Sequence, residues 1–181
     1  MAVPAPSAVL SPDRPFLARS GAVYRTRPVR RSDEAGLRDM FGRCSTEDLR
    51  LRCFGLSKSF PDTFAARLAR VAGEAEFAIA AVSPAGEIGG VVHAVGLPGA
   101  AGEADYDIMV RTDLKGQGIG ARLMRDMLAE AARRGFRTVN GDVLMANRAM
   151  LLLAGDLGFR RVAAEGGVVR ISAPAPAITA Q

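Results

Sequence analysis

A strand-like segment passes into a helix through the sequence Val110-Arg111-Thr112-Asp113-Leu114-Lys115-Gly116-Gln117-Gly118-Ile119-Gly120-Ala121-Arg122-Leu123-Met124. The largely apolar run before it, from Tyr106, is typical of a strand, and the residues after Gly120 follow the period of an amphipathic helix. Glycines at alternate positions allow a tight turn in which several backbone N–H groups point to one place. The N-terminus of the helix adds unpaired donors and the positive end of its dipole. The segment therefore predicts a cradle for a phosphate or pyrophosphate.

Two common nucleotide-binding loops do not fit this turn. No Gly-Lys-Ser/Thr sequence closes it, as a Walker A loop requires. Gly116, Gly118 and Gly120 do not have the spacing of a dinucleotide fingerprint, and the strands before them read as a meander rather than as a βαβ unit. When the turn is considered alone, a tight strand-to-helix connection with no ligand remains the alternative.

The composition indicates a globular chain of 181 residues, 49% of them apolar and 24% charged. The net charge of +5 suits a polyanionic ligand or an acidic protein surface, as well as ordinary solvated arginines. No nucleic-acid-binding pattern accompanies the charge, and no apolar run approaches the roughly 20 residues of a membrane span. One histidine and two cysteines without CxxC spacing argue against a metal site and for a reducing, cytoplasmic compartment.

The order of the predicted elements gives the fold class. Helical periodicity comes early, between Ser32 and Val71, and a meander of strands follows from Phe77 to Arg111. After the glycine turn come a helix, a strand, a second helix from Asn147 and a hairpin. This order predicts an α/β (α+β) fold with a mixed sheet. The chain ends are rich in Ala and Pro, so we expect a flexible extension over residues 1–20, one domain over 21–172 and a flexible tail over 173–181.

The turn, together with Asn147 and the Gly158-Phe159 pair that follows it, resembles the GNAT superfamily of acyl-CoA-dependent N-acyltransferases. The resemblance covers Tyr24 to about Val169. It implies a mixed, mostly antiparallel central sheet flanked by helices, and a pyrophosphate of acetyl-CoA bound by the main chain of the turn. Lys115 stands where the family motif usually has Arg or Gln. The residues that the resemblance assigns to acetyl-CoA are Ile108, Met109, Val110, Lys115, Gly116, Gln117, Gly118, Ile119, Gly120, Ala121 and Asn147.

A narrower resemblance concerns one GNAT branch, the bacterial protein lysine acetyltransferases that modify acyl-CoA synthetases. It rests on four segments: Ser45 to Phe54, Phe77 to Ala80, Val110 to Gly116, and Asn147 to Met150. Cys53 replaces the first of two phenylalanines that this branch has after the residue matching Arg52. The resemblance implies a protein lysine as the acceptor amine.

The strand before the turn supplies candidates for a general base. Glu103, Asp105 and Asp107 share one face at a period of two. Three carboxylates on one face of a central strand are costly to bury, so a solvated cleft is a natural place for them, and crowding would raise the pKa of at least one. A glutamate of the related branch acts as the base, and Asp105 takes its position; Asp107 and Glu103 are the other candidates. A merely polar strand end is the alternative interpretation.

Several neighbouring residues have roles implied by the same resemblance. Ile108, Met109 and Val110 match the residues whose backbone pairs with the pantetheine arm and polarises the thioester carbonyl. Asn147 matches a family asparagine near the cleft, although an ordinary helix N-cap explains it as well. Many GNAT enzymes have a tyrosine seven residues later to protonate the thiolate, and here that position is Ala154. His93, in the middle of a strand, is expected to be structural.

The sequence thus predicts an N-acetyltransferase that moves acetyl from acetyl-CoA to a primary amine, with no metal. Two alternatives stay open: a small-molecule amine as the acceptor, or a non-catalytic acyl-CoA-binding module. We expect a monomer or a homodimer that binds neither nucleic acid nor membrane.

Overall fold

In the computed structural model, residues 15–53 and 60–176 are described. The strands are β1 (Pro15–Leu17), β2 (Val23–Pro28), β3 (Glu76–Val82), β4 (Ile88–Gly96), β5 (Glu103–Val110), β6 (Thr138–Leu144), β7 (Arg160–Glu165) and β8 (Val168–Pro174). The helices are α1 (Glu34–Gly42), α2 (Thr46–Cys53), α3 (Phe60–Leu68), α4 (Ile119–Arg133) and α5 (Arg148–Asp156), with short 3₁₀ turns at Arg31–Asp33 and Thr112–Leu114. Every element predicted from periodicity between Val23 and Ser172 is present within a few residues of its expected bounds.

The strands form one sheet in the order β1-β2-β3-β4-β5-β6-β8-β7. Neighbours are antiparallel except for β5 and β6, which are parallel. A parallel pair needs a crossover, and the glycine turn with α4 supplies it. The expected mixed, mostly antiparallel sheet flanked by helices is confirmed.

The two faces of the sheet are covered by different helices. On one face, α4 packs its apolar side, including Leu123 and Met127, against Ile79 and Val92. On the other face, α1 and α3 pack Leu37 and other apolar side chains against alternate residues of the same strands. The α4 helix follows an amphipathic pattern, so its buried side is set by sequence. Because successive strand residues face opposite ways, each central strand contributes to both cores.

The sheet begins earlier and ends later than the 21–172 expected for the domain. Pro15–Leu17 pairs with β2 as an edge strand, and Ala173 and Pro174 pair with β6. Main-chain hydrogen bonds to a neighbouring strand order these short segments without the long apolar pattern that would reveal them in the sequence. The remainder of the expected extension, residues 1–14, and of the expected tail, residues 177–181, lies outside the described residues.

Candidate active site

The glycine turn has the backbone that its sequence predicts. Gly116 and Gly118 have φ angles of +73° and +89°, in the left-handed region that favours glycine. Gly118 is the N-cap of α4 and provides no side chain there. The first N–H groups of α4 have no partner within the helix, so they are available to an anion in front of the turn.

A cleft of about 570 Å³ lies at this turn, between β5, the start of α4 and α5. Ten of the residues expected to bind acetyl-CoA line it: Ile108, Met109, Val110, Lys115, Gly116, Gly118, Ile119, Gly120, Ala121 and Asn147. Gly120 lies under Leu153 of α5 and beside Val110, close enough for ordinary van der Waals contact with an added Cβ. The structure thus brings the turn, the strand before it and the asparagine together at one opening.

Gln117 does not line this cleft. Its side-chain oxygen accepts a hydrogen bond of 2.8 Å from the Ser20 backbone N–H, and its carbonyl oxygen accepts one of 3.0 Å from Arg19. The side chain is therefore engaged with the segment after β1. That segment in turn brings Arg19 to the cleft, where it joins the lining. Arg19 was missed from the sequence because it falls in the stretch expected to be a flexible extension.

The parallel ladder between β5 and β6 is short. It joins Glu103 with Thr138, Ala104 with Val139 and Asp105 with Asn140, and stops there, although both strands continue. Beyond Asp105, backbone groups of β5 that face β6 are not taken up by this ladder. We call the opening between β5 and β6, which begins just beyond the pair Asp105 and Asn140, the fork. Extended backbone at its edge has the donors and acceptors that an amide-bearing chain can pair with.

The acidic residues of β5 lie on the opposite face of the sheet from the α4 core. Ile108 and Val110 pack with the α4 core, whereas Met109 packs with the α1 and α3 core. Glu103, Asp105 and Asp107 share the face of Met109 by alternation. Helix α2 lies over β5 and β6. The fork thus separates a cleft on one face from a carboxylate-bearing surface on the other.

The carboxylates of β5 lie among donors from neighbouring strands. Asp105 accepts hydrogen bonds of 2.5 and 3.2 Å from the Arg170 guanidinium, which also lies 3.1 Å from Asp142. Glu103 accepts one of 2.9 Å from the Asn140 amide. Asp107 is exposed and pairs across the ladder with His93. The expected crowding of the carboxylates is relieved because a cation and an amide donor lie among them.

Arg170 and Asn140 are the neighbours that sequence reasoning missed. Arg170 is on β8, opposite Asp142 of β6, and reaches over β6 to Asp105. Its contact depends on the register of three strands that are far apart in the sequence. No local pattern carries that information.

His93 is buried on the same face as the acidic residues, with only 3% of its surface exposed. Its Nε2 lies 2.7 Å from Glu76 Oε1, and the Phe64 ring meets it edge-on. Burial lowers the pKa of His93, although the Glu76 carboxylate acts in the opposite direction. The imidazole is therefore held neutral at pH 7, packed between α3 and the sheet.

Asn147 and Tyr106 have clear structural roles. The Asn147 Oδ1 accepts a hydrogen bond of 3.2 Å from the Met150 N–H, so it is the N-cap of α5 while also lining the cleft. Tyr106 packs its ring over Gly141 of β6, where an added Cβ would overlap the ring. Burial, followed by the charge of Asp107, raises the pKa of Tyr106. Its hydroxyl is thus a poor proton donor to a departing thiolate.

Comparison with known proteins places this geometry in a family. Residues 43–159 match the Acetyltransferase (GNAT) family. The chain belongs to the GNAT acetyltransferase family. It is an acetyl-CoA-dependent N-acetyltransferase, and the glycine turn that opens α4 lies within the matched residues.

Solved structures with the same fold include members at low sequence identity. The GNAT domain of S. lividans PAT superposes with a TM-score of 0.80 at 26% identity, covering 90% of this chain and 96% of that one. A GCN5-related N-acetyltransferase from Kribbella flavida matches with a TM-score of 0.71 at 22% identity, over 83% and 97% of the chains. A mutant of a cAMP-binding acyltransferase from Mycobacterium smegmatis matches with a TM-score of 0.61 at 24% identity, over 91% of this chain and 47% of that chain.

Within residues 15–53 and 60–176, no group of three or more His, Cys, Asp or Glu side chains is arranged to hold a metal ion. Over the same ranges, no helix has the length and apolar character needed to cross a bilayer.

Proposed function

We propose that this GNAT enzyme transfers acetyl to a protein lysine presented to the acidic face of β5, with Asp105 as the general base. The observation that carries the proposal is the position of Asp105 at the last paired residue before the fork. A thioester reaching the fork from the glycine-turn cleft would meet an amine arriving from the α2 side at this residue.

The acceptor must lose a proton before it can attack. A lysine ammonium is attracted to the carboxylates of β5, and Asp105 accepts its proton directly or through one water. Arg170 is hydrogen-bonded to Asp105, but it has a second carboxylate, Asp142, at 3.1 Å. The guanidinium can therefore keep an ionic partner while Asp105 turns to the amine.

The remaining steps need little from side chains. The amine nitrogen forms a bond to the acetyl carbon, and a main-chain N–H among Ile108, Met109 and Val110 stabilises the negative charge on the carbonyl oxygen. The carbon–sulfur bond then breaks and the thiolate leaves. Tyr106 is buried and position 154 is Ala, so water protonates the thiolate in this proposal.

Two further features support a protein lysine as the acceptor. The chain resembles the GNAT domain of S. lividans PAT at 26% identity over nearly its whole length. The sequence segments that resemble the lysine-modifying branch include α2, which lies over the acidic strand. An acceptor protein would contact this helix with the surface that surrounds its lysine, so the helix and the acidic strand would recognise the acceptor together.

The decisive experiment is an acceptor screen that measures released CoA thiol. The panel is purified acyl-CoA synthetases, spermidine, free lysine and an aminoglycoside, each with acetyl-CoA and wild-type or Asp105→Asn enzyme. We expect thiol release with a synthetase, acetylation of one of its lysines by mass spectrometry, and loss of both in Asp105→Asn. Turnover confined to the small amines would overturn the protein-lysine assignment. Failure to acetylate any amine while CoA binds would favour an acyl-CoA-binding module.

A further inference from the structure

Four residues tie the N-terminal turn of α2 to the glycine turn, and we call them the α2 clip: Ser45, Asp48, Thr112 and Lys115. The Thr112 hydroxyl donates to Asp48 Oδ2 at 2.5 Å, and the Lys115 ammonium donates to Asp48 Oδ1. The Ser45 N–H donates to Thr112 Oγ1 at 2.7 Å, and the Ser45 hydroxyl oxygen accepts from the Asp48 N–H at 3.1 Å. All of these bonds except the one between Ser45 and Asp48 join segments more than sixty residues apart in sequence.

Asp48 is the centre of the clip. Its side chain is only 11% exposed, whereas that of Lys115 is 49% exposed. Partial burial acts to raise the pKa of Asp48, but the hydrogen bonds from Lys115 and Thr112 outweigh it and the pKa is lowered. The carboxylate is therefore ionised at neutral pH. Ion pairs of this partly shielded kind are stronger than fully exposed ones, and they can still exchange partners with an incoming anion.

The clip connects the two sides of the enzyme. Lys115 lines the cleft at the glycine turn, where the proposed function puts a pyrophosphate. Asp48 belongs to α2, which lies over β5 and β6 on the face that carries Asp105. One ion pair thus links the donor cleft with the helix beside the acceptor surface. Neither Asp48 nor Thr112 takes part in the proposed acetyl transfer.

We infer that Asp48 is a positioning residue that couples occupation of the donor cleft to the placement of α2. A polyphosphate in the cleft competes with Asp48 for the Lys115 ammonium. When Lys115 turns to the phosphate, α2 loses one of its tethers and the surface over the acidic strand is freed for the acceptor. The inference rests on the proposed binding of acetyl-CoA in the cleft.

The first test measures the dissociation constant of CoA by calorimetry in the full chain. Asp48→Asn removes the competitor for Lys115, so we expect CoA to bind about 2- to 5-fold more tightly, the range of one partly exposed ion pair. Glu47→Gln is the matched control: it makes the same charge change one residue away, in an exposed side chain paired with Arg50. This control should leave the dissociation constant unchanged.

The double variant decides whether Asp48 acts through Lys115. We expect Lys115→Met to bind CoA more weakly than wild type. Adding Asp48→Asn to this variant should not tighten CoA binding. Equal affinities for Asp48→Asn and Glu47→Gln would overturn the inference, and so would an undiminished effect of Asp48→Asn in the Lys115→Met background. If no variant binds CoA, the proposed function itself fails, which is a separate result.

Hydrogen exchange of a peptide covering Thr46–Cys53 measures the opening of α2 itself, and a change in global stability would not produce the same pattern. In wild type and Glu47→Gln, we expect CoA to increase exchange in this peptide while it protects the peptide of the glycine turn. In Asp48→Asn, exchange of the α2 peptide should be high already without CoA and change little when CoA is added. Protection of α2 by CoA in the wild type would contradict the proposed release.

Discussion

Asp105 accepts hydrogen bonds from Arg170, and the role of its carboxylate as a base can be tested by an isosteric amide. If Asp105 is the base, Asp105→Asn should lower kcat by about 10²- to 10⁴-fold, because the amide cannot accept the proton. CoA affinity should not change, since Asp105 is outside the cleft lining. Steady-state thiol release and calorimetry measure the two quantities separately.

Asp107→Asn is the comparison that distinguishes the candidate bases. Asp107 is on the same strand face, two residues closer to the turn, and exposed. We expect the kcat of Asp107→Asn to fall by less than tenfold. A large loss in Asp107→Asn with a small one in Asp105→Asn would move the general base to Asp107 and leave Arg170 with a structural role at Asp105.

Gly118 contributes to the turn only through its backbone conformation. An added Cβ would meet no atom within 4 Å, so the cost of Gly118→Ala comes from its φ of +89° and amounts to about 1 kcal/mol of the free energy of unfolding. A shift of the backbone also moves the N–H groups that face the anion, so CoA should bind more weakly. Urea unfolding and calorimetry test both effects.

Gly155→Ala is the control for Gly118→Ala, because it should change the free energy of unfolding in the opposite direction. Gly155 is inside α5 and an added Cβ would also meet nothing within 4 Å. Alanine favours a helix over glycine by about 0.5–1 kcal/mol, so this variant should be as stable as wild type or more stable. Equal destabilisation by the two substitutions would show that the turn at Gly118 is not under conformational constraint.

At the scale of elements, the edge strand β1 has a consequence for ligand binding. Pairing of Pro15–Leu17 with β2 directs the chain past Gln117 and puts Arg19 in the cleft lining. We expect Arg19→Ala to weaken CoA binding about 2- to 10-fold, with a smaller salt dependence than in wild type. Arg31→Ala, an exposed arginine outside the lining, is the matched control. Identical affinities for the two variants would leave β1 without a part in the site.

The elements also show what the sequence could reveal. The strand β3 is predictable from its near-continuous apolar run and the helix α4 from its amphipathic period, because each carries its own pattern of apolar residues. The Pro15–Leu17 strand is not, because three residues are too few to show a period. The contact of Arg170 with Asp105 was missed for a different reason: it depends on the order β5-β6-β8 and on their register. The glycine pattern predicted an anion cradle and the family resemblance assigned the cleft residues to it, whereas the partners of the candidate base depend on the topology of the sheet.

For the whole molecule, the buried imidazole of His93 makes the free energy of unfolding depend on pH. His93 is packed under α3, and Glu76, Arg67 and Asp107 surround it. Its pKa is lower in the folded chain than the ordinary value near 6.5. Above that value both states hold neutral histidine. As the pH falls below it, the unfolded chain takes up a proton first, so the free energy of unfolding decreases.

The thermal unfolding midpoint should therefore fall by about 2–4 °C between pH 7.5 and pH 5.5. Partial burial acts to raise the pKa of Glu76, but the interactions with His93 and Arg67 together outweigh it and the pKa is lowered, so the stability that Glu76 contributes is lost only at more acidic pH. His93 is the single histidine of the chain, so His93→Gln removes histidine titration altogether while an amide N–H can still donate to Glu76. We expect the midpoint of His93→Gln to change little between the two pH values, whatever its absolute stability. An equally large fall in His93→Gln would assign the pH dependence to other groups.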